Sequence, residues 1–335
     1  MNELLDQTDR EICAALLRNG RASWRLISKA TGIQERTVAR RGARLIEQGL
    51  VHVKGLSQPH LVDRGEGCFA RIQCPPSALH TVASWLARLD ETLWVATLAG
   101  ESAIISEFYL NAEDRSRFIE QELAAQPITN YSFDYIDRFR RTVRGWHPNI
   151  LSAEQLERLG EDETRALEAA AIARKDPTFE PDRIDMEIIR LLSIDGRLSI
   201  DAIASSAGAA KPTVRKRIAQ MQRTDYLSIR AVIDPALLGF PLESLITVHA
   251  PVSRLDEVAT ALSADWHTRW SAELPSTATV QSLVTLESRS ELFDLLRDLD
   301  ERLDGVASSI TAMPLLTHYK RSDVLLPIAT SPTAA

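Results

Sequence analysis

The chain has little cysteine, little glycine, no long apolar run and no basic excess, and each shortage removes a class of protein. Cys13, Cys68 and Cys74 are the three cysteines; they form no CxxC pair and no disulfide framework. Cys68 and Cys74 fall on one face of a strand and read as buried free thiols. The fourteen glycines include no phosphate-cradling loop. No stretch approaches the roughly 18 apolar residues of a membrane span, and the opening residues, with Glu3, Asp6, Asp9 and Arg10, lack the apolar core of a signal peptide. A cytoplasmic protein without a membrane partner is therefore expected. The histidines (His52, His60, His80, His147, His249, His267, His318) are scattered, with no HxxxH and no Cys/His quartet, so the sequence calls for no metal, no cofactor and no catalytic residue. The net charge of −7 would disfavour nucleic acid if it were evenly spread.

It is not evenly spread, and the reason is a repeat. Thr8 to Val53 recurs without a gap from Ile184 to Ile229, held in register by Asp9/Asp185, Ile12/Ile188, Leu16/Leu192, Gly20/Gly196, Arg21/Arg197, Ser23/Ser199, Ile27/Ile203, Gly32/Gly208, Val38/Val214 and Arg41/Arg217. The register continues through Trp94/Trp270 to Leu110/Leu286. A match of that length without an insertion is a duplication, and it sets the domain count at two halves of two domains each.

Each copy opens with a helix marked by Ile12 and Leu16, a short helix capped by Ser23, a turn at Gly32, and a third helix with Val38, Gly42 and Leu45 inward. That arrangement is a helix-turn-helix, and its third helix carries the cations: Arg36, Arg40, Arg41 and Arg44 in the first copy, Lys211, Arg215, Lys216, Arg217 and Arg223 in the second. The compensating acids collect in Glu154–Asp182, nine against four bases. Local charge decides DNA contact because distant charges are screened. The candidate DNA-contacting residues are Arg36, Thr37, Arg40, Arg41, Arg44, Lys211, Thr213, Arg215, Lys216, Arg217 and Gln220. Gly42 stands where the second copy has Ile218; it lowers helix propensity by roughly 1 kcal/mol and leaves core volume unfilled, so the first head is expected to be the softer.

After each head the period changes. Phe69–Cys74, Leu79–Leu86, Thr92–Leu98, Ala103–Leu110, Ala112–Leu123 and Ile128–Ile136 give βαββαβ, and the second half repeats it from Leu245 to Leu316. The fold class is α+β: two copies of a winged-type helix-turn-helix followed by a ferredoxin-like βαββαβ domain. The boundaries are a first head over 1–55, a first βαββαβ domain over 66–141, a partly helical linker over 142–181, a second head over 182–230, a second βαββαβ domain over 241–322 and a disordered tail over 327–335. Within the linker, Ser152-Ala153-Glu154-Gln155 reads as a capping box opening a helix that runs toward Lys175.

The segment "TDREICAALLRNGRAS…GIQERTVARRGARLIEQGLV", its closer-matching copy "IDMEIIRLLSIDGRLS…GAAKPTVRKRIAQMQRTDYLSIRAVIDPALLGF" and the βαββαβ modules together resemble the leucine-responsive/asparagine-regulator (Lrp/AsnC) family, in tandem fused form. The resemblance implies a transcriptional regulator that binds double-stranded DNA and pairs through its βαββαβ (RAM) domains. It also implies a small amino-acid-like effector between those domains. Family members often carry Gly-x-x-Asp in the turn between the second and third RAM strands. Here Gly100-Glu101-Ser102-Ala103 keeps only the glycine and Ser276-Thr277-Ala278-Thr279 keeps neither; Gly100, Glu101, Ser102, Ser276 and Thr277 are the effector-site candidates. Proteins resembling this family also serve as sirohaem decarboxylases, with histidine and arginine as working groups, and that enzyme is the alternative reading. The two RAM-like domains are expected to pair through the faces bearing Trp94 and Trp270. A homo-oligomer, dimer or larger, is expected because one such pair would still expose sheet edges.

Overall fold

The computed structural model describes residues 5–57, 62, 64–159, 179–224 and 226–326. The first head is α1 (Gln7–Arg18), α2 (Trp24–Thr31) and α3 (Glu35–Glu47), followed by β1 (Val51–Ser57). The first sheet domain runs β2 (Glu66–Gln73), α4 (Leu79–Arg88), β3 (Thr92–Leu98), β4 (Ala103–Leu110), α5 (Ala112–Arg117, continued as one π-turn through Leu123) and β5 (Asn130–Tyr135). A short strand β6 (Arg138–Arg141) and α6 (Ala153–Arg158) complete the first half. The second half repeats the order with α7 (Arg183–Ile194), α8 (Ile200–Ala207), α9 (Lys211–Arg223), β7 (Leu227–Ile233), β8 (Leu242–His249), α10 (Leu255–Ser263), β9 (Thr268–Leu274), β10 (Thr279–Leu286), α11 (Arg289–Arg302), β11 (Ser309–Arg321) and β12 (Val324–Leu325).

The duplicated residues act locally in the same way in both heads. Ser23 and Ser199 cap α2 and α8 by accepting from the Leu26 and Ala202 N–H groups. Gly32 and Gly208 end those helices at φ 78° and 63°, where a Cβ is strained. In the sheet domains Thr92 and Thr268 donate to the carbonyls of Leu86 and Leu262, closing the ends of α4 and α10. The capping box at Ser152 and Gln155 is present, but the helix it opens is only Ala153–Arg158. The stretch toward Lys175 and the tail from Pro327 lie outside the described residues.

The strand after each third helix does not form a wing hairpin. Instead β1 and β7 pair antiparallel, Val51 opposite Ile233 through Ser57 opposite Leu227, joining the two heads. Gly20 N–H donates to the Ile229 carbonyl and Gly196 N–H to Val53. Arg21 donates to the carbonyls of Gly196 and Leu198, and Arg197 returns the contact to Gly20 and Ala22. A Cβ on Gly20 would stand 2.8 Å from the Arg230 Cα and one on Gly196 2.9 Å from the Lys54 N, so close approach requires glycine at both. The heads share one core that runs from Ile12 and Leu16 to Ile188 and Leu192.

The two sheet domains also merge. Their strands form one antiparallel ten-stranded sheet in the order β5-β2-β4-β3-β11-β8-β10-β9-β6, with β12 on β11. Two strands cross between halves: β11 pairs with β8 over Ser309–Pro314 and with β3 over Leu315–Lys320. The run from β5 to β6 pairs first with β2 and then with β9. Only Ile136 and Asp137 separate β5 from β6, and their N–H groups donate to Gly67 and Glu273, so the two ends of the sheet are bridged by continuous chain. Helices cover the outer faces over separate cores. The inner faces meet in a third, where the Trp94 and Trp270 rings cross at 5.8 Å and Phe69 and Phe139 lie against Trp270. The expected pairing through the two tryptophan faces is formed within one chain. The crossing strands join the two half-sheets, while β5 and β6 remain the end strands, each paired on one side only.

Candidate functional site

The third helices sort the expected DNA-contacting cations into two groups. Arg41 reaches Asp6 and Asp9, and Arg44 lies 2.5 Å from Asp9, whose side chain is 5% exposed. In the second head Arg217 holds Asp182 and Asp185 at 2.7 Å each, and Asp185 is 1% exposed. The hydrogen bond from Arg41 holds the Asp6 carboxyl below the usual carboxylate range. These are ties between the first and third helices of each head, which explains why Asp9/Asp185 and Arg41/Arg217 are identical pairs. Lys211 is spent on Asp201 at 2.7 Å. Arg36, Arg40, Arg215 and Lys216 are exposed and enter no ion pair among the described residues; Thr213 is exposed, while Thr37 and Gln220 are half-buried.

Gly42 does not leave a void. A Cβ there would lie 2.5 Å from the Trp24 ring, so the indole occupies the space that Ile218 fills in the second head, where residue 24 has the smaller counterpart Ile200. Arg197 of the other head stacks on the outer face of Trp24 at 4.4 Å. The softness expected of the first head has no basis in its packing.

The effector-site candidates make separate contacts, each within or beside its own turn. Glu101 pairs with Arg71, and the Ser102 hydroxyl donates to Cys74. Ser276 lies 3.4 Å from Asp134, Thr277 bonds to Thr279 in its own turn, and Gly100 faces Met313.

A cavity of about 520 Å³ lies elsewhere, between the paired heads and the inner sheet faces, and sequence reasoning missed it. Its walls come from β1 (Lys54 to Ser57), α7 (Met186, Ile189), β3 and β4 (Trp94, Glu107, Tyr109), Phe139 and Trp270. Glu107 is 4% exposed; it accepts from Trp94 Nε1 at 2.8 Å and from the Tyr109 hydroxyl at 2.6 Å. Trp270 turns its indole N–H toward the same carboxyl without making a hydrogen bond of good geometry. Burial pushes the Glu107 pKa up.

The related place in the second half is full. By the 176-residue offset Arg64 becomes Phe240, Asp90 becomes Trp266, Glu107 becomes Leu283 and Tyr109 becomes Thr285. Trp146 enters there, donating its indole N–H to the Trp266 carbonyl, packing edge-on against Phe240 at 6.5 Å and lying under Arg269 at 4.7 Å. Beside it Glu243 binds Arg269 and Arg321, with His318 at 3.0 Å. Burial raises the Glu243 pKa, but the charges of Arg321 and His318 outweigh it and hold the group well below the usual range. His267 is bound between Asp265 and Glu291, and His249 is exposed at the end of β8. Among the described residues no histidine lines the open cavity.

Comparison with known proteins agrees with the duplicated heads. An AsnC-type helix-turn-helix domain model matches residues 5–46 and again 182–222. An uncharacterized HTH-type transcriptional regulator of Pyrococcus furiosus is 31% identical over 144 residues, covering 40% of this chain and 95% of that protein. The HTH-type transcriptional regulator FL11 of Pyrococcus horikoshii is 28% identical over 145 residues, 43% of this chain and 95% of its own. Over the full length the fold is similar to the crystal structure of the siroheme decarboxylase NirDL, with a TM-score of 0.59 and 10% identity, covering 93% of this chain and 92% of that one.

Proposed function

The chain belongs to the Lrp/AsnC family of helix-turn-helix proteins, and on that premise we propose that it is a cytoplasmic, sequence-specific transcriptional regulator that binds double-stranded DNA with two unlike heads built into one chain. The observation that carries this reading is the pairing of the heads, each third helix keeping exposed cations that enter no ion pair among the described residues: Arg36 and Arg40 on α3, Arg215 and Lys216 on α9. A helix of this kind enters the major groove, and a paired set of two spans neighbouring grooves. Arg36→Ala/Arg40→Ala and Arg215→Ala/Lys216→Ala should each weaken binding in a salt-controlled shift assay. The loss is about 1–3 kcal/mol per base-reading arginine and a shallower salt slope per phosphate contact. Binding unchanged in both variants rejects the reading.

A second reading, an enzyme of the siroheme-decarboxylase type, is favoured by one specific observation: the full-length likeness in fold to such an enzyme, together with a cavity of ligand size. Lys54, Arg64 and Arg144 line that cavity and would meet substrate carboxylates, and Glu107 would be the proton donor; His249, His267 and His318 are not among the described residues of its wall. Incubation with sirohaem under reducing, anaerobic conditions decides it: a product lighter by carboxyl groups supports the enzyme, and unchanged sirohaem removes it.

A further inference from the structure

We propose that the open cavity is a binding site, one per chain, for a small molecule with an aromatic or similarly large apolar body and a cationic amine, the amine lying against Glu107. Occupancy of this site is independent of whether the heads bind DNA. Glu107 is a buried carboxyl whose hydrogen-bond partners, Trp94 and Tyr109, are uncharged, and it enters no ion pair among the described residues. An isolated buried carboxylate is costly, and a cation delivered with the ligand removes that cost. Trp270 Nε1, in a residue 1% exposed, also lacks a hydrogen-bond partner at this spot. The two indoles and Phe139 supply flat apolar walls at right angles to one another, the kind of surface on which an aromatic body packs.

The cations on the wall do not reverse this assignment. Arg64 donates to the Asp90 carbonyl and lies 4.0 Å from Asp323, and Arg190 is held by Glu187 at 2.8 Å. Lys54 and Arg144 also line the wall, and Arg144 has a partner of its own. The side chains that face the Glu107 carboxyl are Trp94, Tyr109 and Trp270, all uncharged, so among the described residues the acid on the floor has no countercharge. The duplicated half argues the same way. Leu283 stands at the position of Glu107, and Trp146 packs on Phe240 and Trp266 at the positions of Arg64 and Asp90. The buried acid nearby, Glu243, already has Arg269 and Arg321, so that place offers no unpaired buried carboxyl among the described residues.

Isothermal titration of the full chain with tryptamine, indole-3-propionate and indole-3-propanol tests this. Tryptamine should bind at one per chain and tighter than the acid and the alcohol by about tenfold or more, the worth of one charge-assisted contact. Glu107→Gln should abolish that preference while keeping the wild-type melting profile. Met186→Trp, at a position 41% exposed on α7, should narrow the cavity from its outer side and weaken tryptamine without touching Glu107. Trp146→Ala should leave the stoichiometry at one. The proposal is overturned by tighter binding of the acid or the alcohol, by no tryptamine binding at millimolar concentration, by an unaltered preference in Glu107→Gln, or by a second amine site in Trp146→Ala.

Discussion

Gly42 shows how a residue read alone misleads and a residue read with its neighbour does not. The pair Trp24/Gly42 in one head and Ile200/Ile218 in the other divide the same space differently. Gly42→Ala forces a methyl into the indole, an overpacking that costs about 1–3 kcal/mol, against a helix-propensity gain of roughly 1 kcal/mol. We expect a net loss in the urea midpoint for Gly42→Ala and recovery in Trp24→Ile/Gly42→Ala; additive losses would show that the two do not share the site. His267 makes a second prediction at this scale. Burial lowers its pKa, but Asp265 at 2.5 Å and Glu291 at 2.8 Å outweigh that and hold it above the ordinary 6.5. A raised folded-state pKa contributes stability that is complete below the unfolded value and lost as pH rises through the folded one. Wild-type stability should therefore decline as pH rises above 6.5 through the raised value, relative to a flatter His267→Gln profile; parallel profiles would refute the assignment.

The head-to-head contact is the element on which the architecture turns. Arg21 and Arg197 are half-buried, and burial draws both guanidinium pKa values down; each is satisfied by carbonyls of the opposite head. Arg21→Ala/Arg197→Ala should leave each three-helix core folded and loosen the β1–β7 ribbon. The readout is amide exchange at Gly20 and Gly196, whose N–H groups bond across the contact; protection there should fall while protection at Ile27 and Ile203 persists. Equal protection in variant and wild type would mean that the strands alone hold the heads. The contrast also explains what could be read in advance. Helices, caps and the βαββαβ order follow from neighbours within a few residues, and Ser23, Gly32 and their copies were legible for that reason. The identities Arg21/Arg197 and Arg41/Arg217 were visible too, but their partners lie 32 to 177 residues away, and charge pattern alone put Arg41 and Arg217 with the DNA contacts. The cavity was not legible at all, since its walls come from β1, the sheet domains and α7, and no local pattern records that meeting.

At the scale of the molecule, pseudo-symmetry inside one chain replaces symmetry between chains. Strand β11 joins the two half-sheets at the centre, β5–β6 links the outer ends, and the two inner faces bury their tryptophans against each other, so the pairing of the two sheet domains is made within a single chain. That has a consequence for the operator. A symmetric pair of heads reads a palindrome because site symmetry mirrors protein symmetry, but these heads differ where they face outward: Arg36 and Arg40 on α3 stand against Pro212 and Lys216 on α9, and Arg44 against Gln220. Arg44 is tied to Asp9, whereas Gln220 has no charged partner among the described residues, so the C-terminal parts of the two helices also differ in what they can offer. Arginine favours guanine through its bidentate fork and glutamine favours adenine. Selection of bound DNA on the intact chain should therefore return two unlike half-sites about one helical turn or a multiple apart. Arg36→Ala/Arg40→Ala should relax one half-site only, and Arg215→Ala/Lys216→Ala the other. A clean palindrome, unchanged when the first head is disabled, would mean that second heads from two chains read the site together and that the intrachain pair is not the DNA-binding unit.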